Sequence, residues 1–503
     1  MDALTRLLAI LAPGLAASRM AAQARLQAAQ RLYEAASISP SHPRRGRQHA
    51  ADAVMDNAKG RLRDYARWLD ENHDLAVGIL DDLVANIIGT GVGVEPLAKR
   101  QSGAPLDSLN DQLRDLWQSF WRFPDVTQDT PGPELERLIC RSWLRDGEVF
   151  VQHVTGRNNL RYPTAIPYLL EPLEADFVPF DLNSDTITHG VTKNQWGQPI
   201  GYYVYKAHPG NNRTANLETK FIPFDRMAHL KFTRRLHQTR GVSLLHAVLN
   251  RLDDIKDYEE SERIAARIAA AFTAYIRRNG DVEYPTALTD SLTGESTSRS
   301  FEMNPGMIFD NLLPGEDVGM IKSDRPNPGL ETFRNAQLRA VASGTGTRFS
   351  SIAKNYNGSY SAQRQELIEG NLSYRRLFTY LRDQFYLPVW SQFIGAAILA
   401  NQLKLPRDIN LESLYSPEFR QPALPWIDPA KEATAFEKFI AMGVKSRQQI
   451  IRDIGGDPRT VDAQLAADTF DIRPATNSAA KPAPAVDNAD DADQSTQTTA
   501  LAA

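Results

Sequence analysis

The stretch GLETFRNAQLRAVASGTGTRFSSIAKNYNGSYSAQRQELIEGNLSYRRLFTY, residues 329–380, decides the fold. A helical pattern over Leu330–Ala342 ends in the run Ser-Gly-Thr-Gly-Thr, and a helical pattern resumes near Ser361. The segment between them, 348–360, offers a cation, amides, hydroxyls and two tyrosines, but no nucleophile paired with a base. The pattern therefore predicts two helices that flank a polar loop built to touch a polymer rather than to cut one.

Length and composition limit the possibilities. A chain of 503 residues predicts two to four compact units, at about 100–200 residues each. The 57 Lys and Arg residues against 61 Asp and Glu residues give a net charge of −4, which argues against a protein that holds nucleic acid by bulk phosphate neutralisation. The single cysteine, Cys140, excludes an internal disulfide and a multi-cysteine metal site, and it suits a reducing compartment.

The N-terminal segment contains an apolar run, Leu7–Ala17, that has some features of a signal peptide. Pro13 interrupts this run and arginines follow it at helical spacing, so an amphipathic helical arm is favoured over a cleaved signal. No uninterrupted apolar run of about 18 residues occurs, and we therefore expect no transmembrane span.

The first half of the chain changes from helical to strand patterns. Helical periodicity predicts helices over Ala51–Ile88, Leu106–Phe120 and Pro133–Arg145. Short alternating segments then predict strands: Glu148–His153, Tyr168–Glu171, Gly190–Thr192, Ile200–Lys206 and Met227–Phe232. The expected fold class is α+β.

Residues 243–273 give the clearest long helix, because apolar residues recur along one face at intervals of three and four. Three acids lie on another face: Asp253, Asp257 and Glu260. This pattern is compatible with a core helix that has a solvated face, and also with a helix that lines an acidic channel.

The second half contains a small insertion and further helices. Residues 275–325 are rich in Gly, Pro, Ser and Thr with short strand-like pieces, too interrupted to bury a core without neighbouring chains. Residues 363–403 predict a long helical region with a kink at Pro388. Helices are also predicted over Ala430–Met442 and near Ser446–Ile454, and residues 474–503 have a disordered composition.

Several local motifs have a functional and a structural interpretation. The run Gly89–Gly93 follows a helix rather than a strand, so it predicts a helix-ending turn and not a phosphate-binding loop. No Gly-x-x-x-x-Gly-Lys-Ser/Thr sequence is present, so the chain is not expected to hydrolyse ATP. The nine histidines form no metal-binding spacing, and we predict no metal and no cofactor.

Two clusters of charged residues each have more than one interpretation. Asp146 and Glu148 can be read as paired acids of a metal-dependent nuclease or as a tight turn that enters a strand. A cationic cluster before the long helix is compatible with a solvated loop, or with contact to an acidic neighbour or a phosphate. Its members are Lys231, Arg234, Arg235, His237 and Arg240.

Across residues 30–460, several phrases resemble those of the bacteriophage portal (head-to-tail connector) family, in its lambda-type branch. The matching phrases are Arg31–Ala36, Asn86–Gly91, Asp146–Phe150, Arg240–Ser243, Asn357–Arg364, Trp426–Pro429 and Gly443–Ser446. No one of these segments is specific for the family by itself, but their order and spacing together are.

The resemblance implies a portal fold, with wing, stem, clip and crown, assembled as a dodecameric ring around a channel. The implied divisions are an N-terminal helical arm (1–45), the wing (46–242), stem helix 1 (243–273), the clip (274–328), stem helix 2 (329–344), a tunnel loop (345–362), a wing helix region (363–429), the crown (430–470) and a disordered tail (471–503).

The resemblance also implies a non-enzymatic function with no catalytic residue and no cofactor. The ring would lie at one vertex of the virion capsid after assembly in the host cytoplasm, without contacting a membrane. Its implied partners are other copies of itself, the terminase large subunit, major capsid and scaffold proteins, neck or head-completion proteins, and the double-stranded DNA that is packaged and later ejected.

Specific residues carry the implied DNA contact. The loop would offer Lys354, Asn355, Tyr356, Asn357 and Ser359 to the DNA, and the stem would line the channel with Asp253, Asp257 and Glu260. Two other classes of protein remain as alternatives, a metal-dependent DNA-processing enzyme and a scaffold or adaptor protein without a channel.

Overall fold

The computed structural model describes most of the chain outside its two ends and one insertion. The described residues are 49–156, 165–211, 218–271, 329–421, 423 and 428–468, four residues before 49 (14, 18, 21 and 22), and the backbone of four short strands between 275 and 319. The predicted arm (1–45) apart from those four residues, the predicted tail (471–503) and most of the predicted clip (274–328) lie outside them.

The chain divides into two compact units. The first comprises Met1–Gly91 and Pro96–Pro417, and the second comprises Val92–Glu95 and Glu418–Ala503. In the described part of the first unit the helices are α1 (Ala51–Asn72), α2 (Asp74–Ile87), α3 (Asp107–Trp121), α4 (Gly132–Asp146), α5 (Leu249–Ala271), α6 (Leu330–Thr345), α7 (Phe349–Ala353), α8 (Tyr360–Leu381), α9 (Leu387–Leu399) and α10 (Leu411–Leu414). Within the described residues, no helix is both long and apolar enough to cross a membrane.

Two antiparallel sheets form the body of the first unit. Strands β2 (Glu148–Thr155), β3 (Tyr168–Leu173) and β8 (Met227–Lys231) make a sheet in the order β3-β2-β8. Strands β4 (Ile187–Thr188), β5 (Val191–Lys193), β6 (Pro199–Tyr205) and β7 (Thr219–Pro223) make a second sheet in chain order. The predicted α+β class is confirmed, and the sequence reading missed β4 and β7.

A hydrophobic core lies between these sheets. It joins Phe150 of β2 and Met227 of β8 to Tyr202 and Val204 of β6 and Ile222 of β7. The other face of β2 is covered by α4 and α9. Because both faces of β2 are covered, its first four residues are all buried, which explains the continuous apolar run Val-Phe-Val in its sequence.

Short strands lie in the inserted segment. Strand β9 (Tyr275–Arg278) pairs with β12 (Glu316–Gly319), and β10 (Leu288–Thr289) pairs with β11 (Ser296–Thr297). Both pairings are antiparallel.

Aromatic side chains join α3 to α9. Trp117 stacks on Trp121 with ring centroids 4.7 Å apart, and it meets Trp390 and Phe393 of α9 at 5.2 Å each. The expected kink at Pro388 takes the form of a π-helical turn at Arg382–Tyr386. Because proline has no N–H for the carbonyl four residues earlier, the helix widens for one turn before Pro388 and then continues.

The helix predicted over Ala51–Ile88 is two helices, and the prediction of one was wrong at His73. This residue ends α1 with an extended backbone and caps the start of α2. Its buried imidazole Nε2 lies 2.8 Å from the carbonyl oxygen of Leu252 in α5. A tertiary contact therefore fixes the break, and neither glycine nor proline marks it in the sequence.

The second unit begins with a strand pair. Strand β1 (Gly93–Glu95) runs antiparallel to β13 (Glu418–Arg420). Three helices follow, α11 (Pro429–Ala441), α12 (Arg447–Asp453) and α13 (Pro458–Ala467). Arg452 of α12 donates two hydrogen bonds of 2.9 Å to the carboxylate of Glu95, which fixes this helix to the strand pair.

Candidate functional site

The long helix α5 starts from a buried ion pair. Arg240, which is fully buried, donates from Nε to both oxygens of Glu148 at 2.8 and 2.9 Å, and its Nη2 lies 2.6 Å from Oε1. The remaining guanidinium hydrogens go to carbonyl oxygens of Ala175, Val178 and His189. This network attaches the segment before α5 to the sheet that contains β2.

Two glycines allow the chain to cross itself at this point. Gly147 has φ of 89°, and a Cβ there would lie 2.2 Å from the carbonyl carbon of Val242. A Cβ on Gly241 would lie 1.9 Å from the carbonyl oxygen of Gly147. The backbones approach too closely for any side chain, so glycine is required at both positions.

Asp146 and Glu148, the two acids that a nuclease would use, form ion pairs with arginines. The Asp146 side chain is fully buried, 2.6 Å from Nη2 of Arg67 and 2.7 Å from Nε of Arg145. Glu148 is held by Arg240, as described above. Burial alone would raise the pKa of Glu148, but Arg240 and His229 outweigh it and hold this pKa well below its usual range. Because guanidinium groups neutralise both carboxylates, the pair offers no open ligand set for a cation.

Among the residues that the structure describes, one further group of side chains has metal-ligand chemistry. Ligand atoms of Glu174, Asp176 and His208 lie within 4.8 Å of one another. Asp176 already pairs with Arg63 at 2.9 Å and with Arg67 at 2.7 Å, and Glu174 lies 3.6 Å from Arg67. Two guanidinium groups therefore supply the positive charge that a cation would bring.

The predicted cationic cluster separates into structural and exposed members. Arg240 is the structural contact to an acidic neighbour, and Lys231 donates to the carbonyl oxygens of Gln238 and Thr239 at 3.1 and 3.2 Å. Arg234 and Arg235 lie on an exposed loop, where Arg235 donates to the carbonyl oxygen of His49 at 3.0 Å.

The predicted stem acids lie in different environments. Asp257 and Glu260 are exposed on α5, whereas Asp253 is half-buried and accepts a hydrogen bond of 2.7 Å from the hydroxyl of Tyr65 in α1. Burial first, and then the charges of Asp253 and its neighbours, raise the pKa of Tyr65. Towards the C-terminal half of α5 the exposed face also carries Arg263 and Arg267, so the helix is acidic only in part.

Helix α5 packs against α6 through its opposite face. Arg334 of α6 pairs with Glu259 at 2.6 Å, and the rings of Tyr258 and Phe333 lie 4.9 Å apart. These contacts make α5 and α6 a helical pair, and α6 leads directly into the predicted loop.

The predicted loop begins with a segment, 348–353, that is held by contacts with neighbouring helices. Within the predicted tunnel loop (345–362), the short helix α7 forms at Phe349–Ala353 and buries Ser351 and Ile352. Arg348, before α7, lies 3.6 Å from Asp82 and covers the ring of Tyr374 at 5.6 Å.

The exposed part of the loop comprises 354–359. Lys354 ends α7 with φ of 50°, and Ser359 caps α8 by accepting from the amide of Ala362 at 3.3 Å. Gln363 donates to the carbonyl oxygens of Tyr356 and Gly358, which braces the turn from within. The side chains of Lys354, Tyr356 (60% exposed) and Asn357 are exposed to solvent, while Asn355 is half-buried.

Comparison with known proteins decides the family. Residues 41–377, more than half of the chain, match the family described as phage portal protein, lambda family. The chain belongs to this family. The portal fold and the function predicted from the sequence, a portal through which phage DNA is packaged and ejected and which connects head to tail, are therefore confirmed at the level of the family.

Named relatives agree with the family assignment. The probable portal protein of Halomonas phage phiHAP-1 is 27% identical over 440 residues, which cover 84% of this chain and 83% of the relative. Portal protein B of Escherichia phage lambda is 21% identical over 369 residues, 66% of this chain and 67% of the relative. None of these comparisons favours a metal-dependent enzyme.

Solved structures give a weaker likeness. A chain in the neck of a native GTA particle computed with C12 symmetry has a TM-score of 0.47 and 14% identity, and the match covers 81% of this portal protein and 99% of that chain. A chain in the virion of a native gene transfer agent particle has a TM-score of 0.44 at 14% identity, with 81% and 99% covered.

Proposed function

We propose that copies of this portal protein assemble as a dodecameric ring, and that α5 and α6 form its stem around a channel for double-stranded DNA. The observation that carries the proposal is the loop 354–359, which is exposed and polar at its tip but fixed at its base by Arg348 and Gln363. A rigid base with an accessible cation is suited to repeated, brief contacts with a moving polymer.

The charge of α5 suits a channel through which DNA must slide. A wall that neutralised many phosphates would hold the DNA, because each neutralised phosphate adds affinity through counterion release. Asp257 and Glu260 are exposed and repel the DNA backbone. Asp253 contributes less directly, since Tyr65 already uses its carboxylate.

The loop supplies the attractive contacts. Lys354 provides one charge for a phosphate oxygen, and the amides and hydroxyls of Asn355, Asn357 and Ser359 provide weak hydrogen bonds. Tyr356 offers an exposed ring and hydroxyl. One cation per subunit keeps each contact weak and sensitive to salt.

The remaining parts of the chain take the roles that the family implies. The segment 274–328 forms the clip with neighbouring subunits, residues 46–242 and 363–429 form the wing, and residues 430–470 form the crown. The terminase large subunit docks on the ring during packaging, capsid and scaffold proteins surround it, and neck proteins join it later. Assembly takes place in the host cytoplasm and the ring ends at the portal vertex of the virion.

The protein acts without catalysis of its own. Both acids of the nuclease interpretation pair with arginines, Asp146 with Arg67 and Arg145, and Glu148 with Arg240. Hydrolysis of ATP belongs to the packaging motor, because the chain contains no phosphate-binding loop sequence.

The proposal is tested first by electron microscopy and native mass measurement of the purified protein. Rings with a central hole and a mass near that of a dodecamer are expected. Particles are then assembled with the double variant Lys354→Ala/Asn355→Ala and assayed for DNA packaging and retention. Lys404→Ala, at an exposed lysine outside the loop, is the matched control.

The loop variant is expected to form rings but to lose packaged DNA or package it more slowly, while the control behaves as wild type. Unchanged packaging and retention in the double variant would remove the loop from the DNA path. A monomer that cleaves DNA would contradict the portal assembly itself.

A further inference from the structure

Helix α8 carries an exposed stripe that mixes apolar and basic side chains. Ile368 is 48% exposed and Leu372 is 66% exposed. Arg364, Arg375 and Arg376 are exposed on the same side of the helix, opposite its buried residues, since positions three, four, seven and eight apart share a helix face. We call these five residues the α8 stripe.

Within the described part of the chain, no arginine of the stripe is paired with an acid. Among the described residues, neither Arg375 nor Arg376 forms an ion pair, whereas Arg348 and Arg334 nearby in the sequence both do. Unpaired arginine beside exposed Leu and Ile is typical of the surface of a protein interface, where arginine is enriched. The stripe therefore fits a protein partner with acids around an apolar or aromatic surface.

DNA fits the stripe less well than protein does. Ile368 and Leu372 lie in the middle of the stripe, and the phosphate backbone offers them no apolar surface to cover.

A surface with the complementary chemistry lies on α1. Trp68 is 43% exposed and is flanked on the same helix face by the exposed acids Asp64 and Glu71. Neither acid forms an ion pair within the described part of the chain. Arg61 lies one turn before Asp64, and Nζ of Lys256 in α5 lies 4.6 Å from the centroid of the Trp68 ring, so the two acids have two cations beside them. We call Asp64, Trp68 and Glu71 the α1 surface.

We propose that the α8 stripe of one subunit docks on the α1 surface of a second copy of this chain. A ring needs two different, complementary surfaces on each subunit, because its contacts are head-to-tail and close by rotation. Opposite charges around apolar centres supply that complementarity, with Leu372 and Ile368 covering Trp68 and the arginines meeting Asp64 and Glu71. The inference rests on the ring assembly proposed above.

Charge reversal tests the pairing. The double variant Arg375→Glu/Arg376→Glu is expected to lower the ring fraction at micromolar protein by roughly tenfold or more, since like charges then face each other. Adding Asp64→Lys/Glu71→Lys in the same chain restores opposite charges and is expected to recover the rings. Ring fraction is measured by native mass measurement and electron microscopy, and folding of each variant by circular dichroism.

Matched controls separate this contact from general charge effects. Arg407→Glu changes an exposed arginine outside the stripe and is expected to leave the ring fraction unchanged. Rings that persist in the Arg375→Glu/Arg376→Glu variant overturn the proposal. Rings that are lost and not recovered by the four-residue swap overturn the pairing with the α1 surface.

DNA contact and failure of the ring itself give different results. Rings that form normally in the Arg375→Glu/Arg376→Glu variant but fail to retain packaged DNA would assign the stripe to DNA and overturn the subunit contact. If the wild-type chain forms no rings in assembled particles either, the ring proposal fails and this pairing fails with it.

Discussion

Arg240 and Glu148, 92 positions apart in the chain, form a buried ion pair that joins the segment before the long helix α5 to strand β2. The guanidinium is enclosed by the rings of Phe150 and Phe180, at 5.4 and 5.0 Å from their centroids. A charge in such a site is tolerated only while its partner is present. The attachment of the long helix therefore depends on both residues together.

Removing the arginine is expected to destabilise the protein severely. In Arg240→Met, Glu148 loses its main compensating charge and three carbonyl oxygens lose a donor, so the free energy of unfolding should fall by about 3–5 kcal/mol. Chemical denaturation followed by circular dichroism measures this change. The matched control is Arg100→Met at the exposed pair with Asp408, where a small effect is expected.

A restoring variant separates charge from packing. The double variant Arg240→Met/Glu148→Leu removes both charges and is expected to recover part of the lost stability. If Arg240→Met alone were as stable as the control variant, the pair would not hold α5 to the sheet.

The glycine crossing gives a second test of this attachment. Gly241→Ala would place a Cβ 1.9 Å from the carbonyl oxygen of Gly147, so the two segments must separate and the folded protein is expected to be lost or strongly destabilised. Gly78→Ala in α2 is the control, because a Cβ there meets nothing within 4 Å. Alanine favours the helix over glycine by about 1 kcal/mol, so the control should be neutral or stabilising. Thermal unfolding of both variants decides the point, and equal melting temperatures would contradict the crossing.

Acid is expected to destabilise the protein through two buried histidines. Burial lowers the pKa of His229 to about 4, and burial with the charge of Arg226 lowers the pKa of His153 to about 4. Both histidines are more basic in the unfolded chain, so their contribution is complete above pH about 6.5 and is lost as the pH falls towards 4. Each is expected to cost on the order of 2 kcal/mol at pH 4.5.

The pH dependence is measured as the difference in unfolding free energy between pH 7 and pH 4.5. His229→Gln, which cannot be charged, is expected to show a smaller difference than wild type. His49→Gln, at an exposed histidine, should follow wild type. Equal differences in all three proteins would show that buried His229 does not gain a proton on unfolding.

Much of the fold follows from local sequence patterns. Short segments of strand-favouring residues predicted β2, β3, β6 and β8 to within two residues at either end. Helical periodicity located α3 and α4 equally well. The sequence pattern that indicates each of these elements is complete within its own segment.

The features that the sequence did not predict depend on contacts between residues that are distant in the chain. The break at His73 depends on a hydrogen bond to Leu252, 179 positions away, and α7 depends on the burial of Ser351 and Ile352 by neighbouring helices. Local propensity contains neither contact. The different environments of Asp253 and Asp257 were not predictable from local sequence either. Asp253 accepts a hydrogen bond from Tyr65, 188 positions away in the chain, whereas Asp257 is more exposed.

The role of two neighbouring acids cannot be read from the sequence until the side chains that contact them are known. Asp146 and Glu148 have the residue types of a metal site, but the arginines that neutralise them come from α1, from α4 and from the segment before α5. Those arginines are 79 positions before Asp146, adjacent to it, and 92 positions after Glu148. Their convergence is a property of the fold and leaves no local signature.

This pairing predicts the outcome of adding divalent metal. With Mg²⁺ or Mn²⁺ at millimolar concentration, the purified protein is expected to leave linear double-stranded DNA intact, because a cation at Asp146 or Glu148 would have to displace a buried guanidinium group. The melting temperature is likewise expected to stay within about 1 °C of its metal-free value, since binding to the folded state alone would raise it. Gel electrophoresis and a thermal scan measure the two effects. If the wild-type protein did cleave DNA, the variant Asp146→Asn would be assayed as well. Loss of cleavage in that variant would show that the acids are catalytic and would contradict this prediction.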